Sequence, residues 1–284
     1  MGQTENSPAG TSDPDGRPEE LHIVEQRAAI APIDRLPVEV LEQIMEEVYF
    51  PPLIGLASSD LRESPWTFAL VSRRWRDIAC QHQPLWATIW VDIERILGLE
   101  SHWTIAPLVL AILLERSSGH PLDISVTYRH EPVGPGFNPF ATLLHRIYEV
   151  LIPHSYHWQD VWFSLTETTA LSFARVRGHS PMLRNLRIDF GNFGEVRHGI
   201  TINAFEVAPR LKALHFSVSS TCFLLPWAQI TRASLQELRD ETPALIGRMH
   251  NLRELSLDLS DPSIFYYFST TTTIPASTSS VRLA

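Results

Sequence analysis

The chain has few cysteines and no long apolar run. Its 284 residues include only Cys80 and Cys222, which lie far apart and form neither a metal-ligand spacing nor a disulfide framework. No stretch approaches the roughly 18 consecutive apolar residues that a membrane span needs, and the N-terminus lacks a basic region followed by an apolar core. These absences predict a protein of the cytoplasm or nucleus that has no contact with a membrane.

The chain is also poor in clustered basic charge. The formal net charge is −9, and residues 1–49 hold 11 acidic but only 3 basic side chains. The best basic cluster is Arg73, Arg74 and Arg76, and three arginines on one predicted helix are typical of a solvated face. Because nucleic-acid binding depends on clustered lysine and arginine, we expect no nucleic-acid partner.

Motifs that carry chemistry are missing as well. The sequence contains no Gly-x-Ser-x-Gly, no His-Glu-x-x-His and no phosphate loop of Walker type. Asp189-Phe190-Gly191 matches a kinase triplet, but no strand lysine or His-Arg-Asp loop accompanies it. His154 and His157 form only a pair, so structural histidines are a better explanation than a metal site. We predict no catalytic residue, no metal and no cofactor.

Two amphipathic helices are predicted near the front of the chain. The first begins at Pro37, and its apolar side is formed by Val40, Leu41, Ile44, Met45 and Val48. The second begins at Ser64-Pro65, and its apolar side is formed by Phe68, Leu70, Val71, Trp75, Ile78 and Ala79. This apolar surface exceeds what two helices can bury in each other. Either a partner covers the excess, or these residues are the core of a small helical domain.

One apolar spacing recurs five times in the second half of the chain. The first, fourth and sixth residues are apolar in Trp158–Phe163, Leu183–Ile188, Leu211–Phe216, Ile230–Leu235 and Leu252–Leu257. The starts are separated by 25, 28, 19 and 22 residues, which is the period range of leucine-rich repeats. The pattern predicts an irregular leucine-rich-repeat-like solenoid, and an ordinary α/β domain whose strands share the spacing is the alternative.

In a solenoid, the strand residues between the inward positions form the binding surface. Mixed charge and an exposed tryptophan suit protein recognition, because interface anchors favour Trp and Arg. The predicted target-binding residues are Asp160, Trp162, Asn185, Arg187, Asp189, His215, Arg232, Glu254 and Asp258.

The front of the chain resembles a known motif. Ile33–Ile44, followed by Ala69–Ala79 and Pro84–Trp86, resembles the F-box of ubiquitin-ligase substrate receptors. From about residue 33 to 260, the chain is similar to the large families of F-box proteins in mushroom-forming fungi. The resemblance implies a Skp-type adaptor as partner and, through it, a cullin. The adaptor-binding positions that it implies are Leu36, Pro37, Val40, Ile44, Leu70, Val71 and Trp75.

We therefore expect a non-catalytic substrate-recognition subunit of a Skp, cullin and F-box type E3 ubiquitin ligase, whose repeat region binds a target protein. The alternative is an F-box-containing structural or interaction protein that acts in no ligase. The expected fold class is α+β or α/β repeat, with an N-terminal helical F-box before the solenoid. The predicted domains are a disordered segment 1–32, an F-box-like helical domain 33–92, a repeat region 93–260 and a Ser/Thr-rich tail 261–284, which is an incomplete repeat or a loop.

Overall fold

A parallel sheet is the central feature of the fold. The structure, a computed structural model, describes residues 32–48, 65–98, 104–128, 139–190, 201–216, 222–236, 242–258 and 281–283. The strands are β1 (Thr88–Asp92), β2 (Leu122–Thr127), β3 (Trp158–Ser164), β4 (Asn185–Asp189), β5 (Ala213–Phe216), β6 (Arg232–Gln236), β7 (Glu254–Asp258) and the short β8 (Val281–Leu283). Each strand pairs in parallel with the strand before it in sequence, so the order in the sheet is the order in the chain. The predicted mixture of helices and strands is confirmed at this level.

Alternate residues of each strand enter the core, because successive side chains of a strand point to opposite faces. The buried pairs on β1 to β7 are Ile89 and Val91, Ile124 and Val126, Val161 and Phe163, Leu186 and Ile188, Leu214 and Phe216, Ala233 and Leu235, and Leu255 and Leu257. The five segments with the recurring apolar spacing are β3 to β7 with their entering residues. Those entering residues, such as Leu183 and Leu211, are buried in the same core cluster.

Helices occupy the front of the chain and most of the connections between strands. They are α1 (Val38–Val48), α2 (Phe68–Val71), α3 (Arg73–Gln81), α4 (Ile93–Leu97), α5 (Ala106–Ser117), α6 (Pro139–Leu151), α7 (Glu167–Ser172) and α8 (Thr242–Arg248). Helix α6 packs against α4, α5 and α7. Among these helices, none combines the length and apolarity that crossing a bilayer requires.

An aromatic cluster fills the core between the middle strands and the helices. Tyr148 of α6 meets Phe163 and Phe173 edge to face, at centroid distances of 5.6 and 5.0 Å. The Tyr148 hydroxyl donates to the Ser164 carbonyl at 2.6 Å, which satisfies its one polar atom inside the core. Burial raises the pKa of Tyr148 well above its usual value, so this phenol stays protonated.

The predicted second helix is divided in two, which corrects the sequence-based expectation. Residues 65–67 form a turn, α2 covers one helical turn, and Ser72 then adopts an extended conformation with φ −155° and ψ 171°. The Ser72 hydroxyl accepts a hydrogen bond from the Trp75 backbone N–H at 3.2 Å, so Ser72 is the N-cap of α3. The break changes the helical phase, and Val71 points away from the core that Trp75 enters.

Parts of the predicted domains lie outside the residues that the structure describes. These are the segment 1–32 apart from Pro32, the predicted helix start Ser64, and the tail 261–284 apart from 281–283. Within the described residues, the last five of the predicted F-box-like region form β1 and pair with β2. The front helices and the sheet contribute to one hydrophobic core cluster.

Removal of the Ser72 cap should destabilise the fold. We expect Ser72→Ala to lower the free energy of unfolding by about 1 kcal/mol, because the first turn of α3 loses the acceptor for a backbone N–H. Urea denaturation measures the change. Ser172→Ala is the control, since the Ser172 side chain caps no helix, and it should change stability by less than about 0.5 kcal/mol. Equal losses in both variants would contradict the assigned cap.

Candidate functional site

Helix α1 divides its apolar residues between two sides. Leu41 and Met45 are fully buried and attach the helix to the core. Val40 is 38% exposed, Val48 is exposed and Ile44 is half-buried. Residues four apart lie on one side of a helix, so Val40 and Ile44 form an outer stripe beside the buried one. The helix thus has more apolar surface than its own fold covers.

Helix α2 adds the most exposed apolar side chains at the front. Leu70 is 68% exposed and Val71 is 58% exposed, whereas Phe68 is buried. Leu36 is half-buried and Pro37 is exposed, immediately before α1. Six of the seven predicted adaptor-binding residues are therefore accessible. We name them the apolar front surface: Leu36, Pro37, Val40, Ile44, Leu70 and Val71.

Polar contacts hold the three front helices together beneath this surface. The Arg74 guanidinium donates to the Leu36 carbonyl, which joins the start of α1 to the first turn of α3. Arg76 donates from Nε to the Ala69 carbonyl at 2.9 Å and ties α3 to α2. At the other end of α1, His82 lies 2.8 Å from Glu46. These contacts fix the position of the exposed residues relative to one another.

Trp75 corrects the predicted set. It is only 5% exposed, and its ring lies 6.1 Å from that of Phe68. An indole is large enough to fill the space between α2 and the core, and once buried it has no surface to offer a partner. Trp75 therefore supports the apolar front surface from below and is not part of the accessible set.

The nine predicted target-binding residues occupy one face of the sheet, at positions that alternate with the buried ones. The strand register arranges them in three neighbouring rows across the strands. The first row contains Asp160, Asn185, Arg232 and Glu254, the second contains Trp162, Arg187 and His215, and the third contains Asp189 and Asp258. We name this face the strand-face surface.

Polar contacts link residues of the first row across several strands. Asn185 donates from its amide to the Asp160 carboxylate, and Arg232 lies 3.4 Å from the Asn185 carbonyl oxygen. Ala213 stands between Asn185 and Arg232 in the register, and its short side chain lets the arginine reach across β5. The row therefore presents an ordered series of polar groups.

The second row contains a stacked pair. The Arg187 guanidinium carbon lies 3.7 Å from the ring centroid of Trp162, and both side chains are half-buried. Burial lowers the pKa of Arg187, while the charge of Asp189 opposes that shift. A guanidinium attracted to the face of an indole keeps both groups in one orientation.

The alternation in residues 121–126 predicts β2 as a strand, but the predicted target-binding set did not extend to β2 or to β1. Trp90 and Asp123 lie in the same rows as the predicted residues, on β1 and β2. The signal was present, because Trp86-x-x-Ile89-x-Val91 has the apolar spacing of the five recognised segments. The helical motif that precedes it hid this strand.

A second exposed apolar stripe was also missed. Ile105, Leu108 and Ile112 are 48, 65 and 40% exposed on one side of α5. The sequence predicts a helix with a strong apolar run at residues 107–115, and only the structure shows which of its sides is exposed.

Groups suited to chemistry are sparse in the described part of the chain. No cluster of three or more His, Cys, Asp or Glu there is arranged to hold a metal ion. Burial lowers the pKa of His154 and of His157, which favours neutral rings. Cys80 and Cys222 form no disulfide, and burial raises the pKa of Cys222 to about 11, which keeps its thiol protonated.

Comparison of the chain with protein-family models, with curated proteins and with solved structures gives no match.

Trp75 and Leu70 should respond differently to truncation. We expect Trp75→Ala to lower the free energy of unfolding by about 3–5 kcal/mol, because a buried indole is replaced by a cavity. Leu70→Ala should change it by less than about 0.5 kcal/mol, since Leu70 is mostly in water already. Chemical denaturation of both variants measures this contrast. A large loss with Leu70→Ala would mean that this side chain is packed.

The ionised Asp123 carboxylate should lower the stability of the fold near neutral pH. Partial burial and the charge of Asp160 raise the pKa of Asp123, so the folded chain holds this proton more tightly than the unfolded chain. The destabilising effect of the ionised carboxylate therefore grows as the pH rises above the ordinary Asp pKa and is complete once the pH exceeds the folded pKa. We expect Asp123→Asn to raise the melting temperature near neutral pH and to have no effect below the ordinary Asp pKa of about 3.9. Equal changes in melting temperature at both pH values would show that the raised pKa of Asp123 is not the cause.

Proposed function

We propose that the chain is the substrate receptor of a Skp, cullin and F-box type E3 ubiquitin ligase. The apolar front surface would bind the Skp-type adaptor, and the strand-face surface would bind a target protein. The receptor itself performs no bond chemistry in this proposal. It would raise the local concentration of the target near the ubiquitin-transferring enzyme, and tethering of this kind increases rates without a catalytic residue.

The observation that carries the proposal is the exposure of Leu70 and Val71 on an ordered helical support. Full burial of a leucine or valine side chain contributes roughly 1.5–3 kcal/mol, and both side chains lie mostly in water here. A patch of this kind is stabilised when a second chain covers it. The F-box-like sequence around these helices indicates which chain that is.

The sheet supports the receptor half of the proposal. Parallel strands in sequential order are the arrangement that a leucine-rich-repeat-like solenoid requires, since each repeat adds one strand beside the last. The apolar spacing of the strands favours the same interpretation. In this proposal, the region from about residue 93 to 260 is the solenoid, and the protein works in the cytoplasm or nucleus.

An adaptor pull-down tests the proposal. Wild-type protein should retain purified Skp-type adaptor. The double variant Leu70→Asp with Val71→Asp should lower the affinity for the adaptor by a factor of about 30 or more, because two carboxylates would be placed in an apolar interface. The matched control is Leu171→Asp with Val207→Asp, at two positions that are each 52% exposed elsewhere. It should bind like the wild type.

Circular dichroism spectra must show that both double variants are folded. Failure of the wild type to bind the adaptor would overturn the proposal. The alternative, a structural or interaction protein that joins no ligase, predicts that the adaptor co-purifies without a cullin. A receptor should bring down both.

A further inference from the structure

Ser125 lies at the centre of a small group of positions on the strand-face surface. In the strand register, its neighbours across the sheet are Trp90 on β1 and Trp162 on β3. The two tryptophans are separated by two strand spacings, about 9–10 Å, and serine is the small residue between them. All three side chains are half-buried. Because serine is small, this register predicts a slot between the two indoles above Ser125.

The positions around this slot carry negative charge or a hydroxyl. On one side lie Thr88, Asp123 and Asp160, and on the other side lie Asp92, Thr127 and Ser164. No lysine or arginine occupies any of these six positions. The Asp92 carboxylate accepts a hydrogen bond from the Arg95 backbone N–H and caps α4. Asp123 and Asp160 lie side by side on the other side of the slot.

Asp123 and Asp160 are partners in the register of β2 and β3. Asp160 raises the pKa of Asp123, which means that the two like charges interact. Asn185 holds one oxygen of Asp160 through a hydrogen bond, so this carboxylate has a defined position. A cation placed beside the pair would relieve the repulsion.

The chain itself shows which cation stacks on its tryptophans. Arg187 on β4 stacks on Trp162, and Ser125 on β2 is the register neighbour of Trp162 on its other side. Elsewhere, the Arg116 guanidinium lies 4.8 Å from the ring centroid of Trp66 and 4.3 Å from that of Trp86. In the described part of the chain, the cations that contact indoles are therefore arginine guanidinium groups.

We infer that the slot between Trp90 and Trp162 binds an arginine side chain of the target protein. The guanidinium stacks between the indoles above Ser125, and its edge points to the carboxylates of Asp123 and Asp160. The assignment of this arginine to a target protein rests on the proposed receptor function.

Direct titration of the full-length protein tests the slot. The protein is labelled with ¹⁵N at its eight indole groups, and N-acetyl-arginine amide is added while indole N–H signals are followed by NMR. Trp90→Phe and Trp162→Phe identify the two relevant signals. Both should shift saturably, and N-acetyl-citrulline amide, which is neutral but similar in shape, should bind about two- to fivefold more weakly.

N-acetyl-lysine amide should also bind more weakly than the arginine compound, because an ammonium cannot stack as a plane. Asp123→Asn should reduce the affinity for the arginine compound about two- to fivefold. Glu115→Gln, which removes an exposed carboxylate on α5, is the matched control and should have no effect. Equal binding of citrulline, equal binding of lysine, or immobile Trp90 and Trp162 signals would each overturn the inference.

The titration contains no adaptor, so its result is independent of the pull-down with Leu70→Asp and Val71→Asp. Binding of arginine by a protein that fails to bind the adaptor would retain the slot and remove the ligase role. Adaptor binding by a protein whose indole signals do not respond to arginine would retain the ligase role and remove the slot.

Discussion

The packing around Trp86 joins the helical front of the molecule to the sheet. This fully buried indole donates from Nε1 to the Ala79 carbonyl of α3 at 2.7 Å. Trp66 meets the ring edge to face at a centroid distance of 5.0 Å, and the Arg116 guanidinium of α5 lies over it. Because Trp86 stands two residues before β1, the same side chain positions α3, α5 and the first strand. The packing around Trp86 therefore sets the position of the helical front relative to the sheet.

The buried packing of the front helices explains why other apolar residues of these helices can remain exposed to solvent. Leu41, Met45 and Trp75 face the core and hold α1 and α3 in place, so the outer residues of α1 and α2 are not needed to stabilise the fold. Ser72 makes this division possible because its extended backbone separates α2 from α3. The surface that results is apolar and held by the rest of the fold, which are the properties of a preformed docking site.

The sequence predicted the strands better than the front helices. Strand periodicity is local, since each inward residue is two positions from the next, and the spacing therefore located β3 to β7. The break at Ser72 depends on packing with distant residues, because Val71 and Trp75 alone continue a helical spacing. Burial of Trp75 follows from the same long-range contacts. The pairing of Trp90 with Ser125 and Trp162 required the register, which sequence separation does not reveal.

Sequential strand order has a consequence for how the molecule can change. Each strand pairs only with the strands before and after it in the chain, so at least four strands separate β6 and β7 from β1. Outward residues at the distant end can therefore change without disturbing the packing around Trp86. In the proposed receptor, the same scaffold would acquire new targets by altering a few outward residues while its adaptor-binding end stays constant.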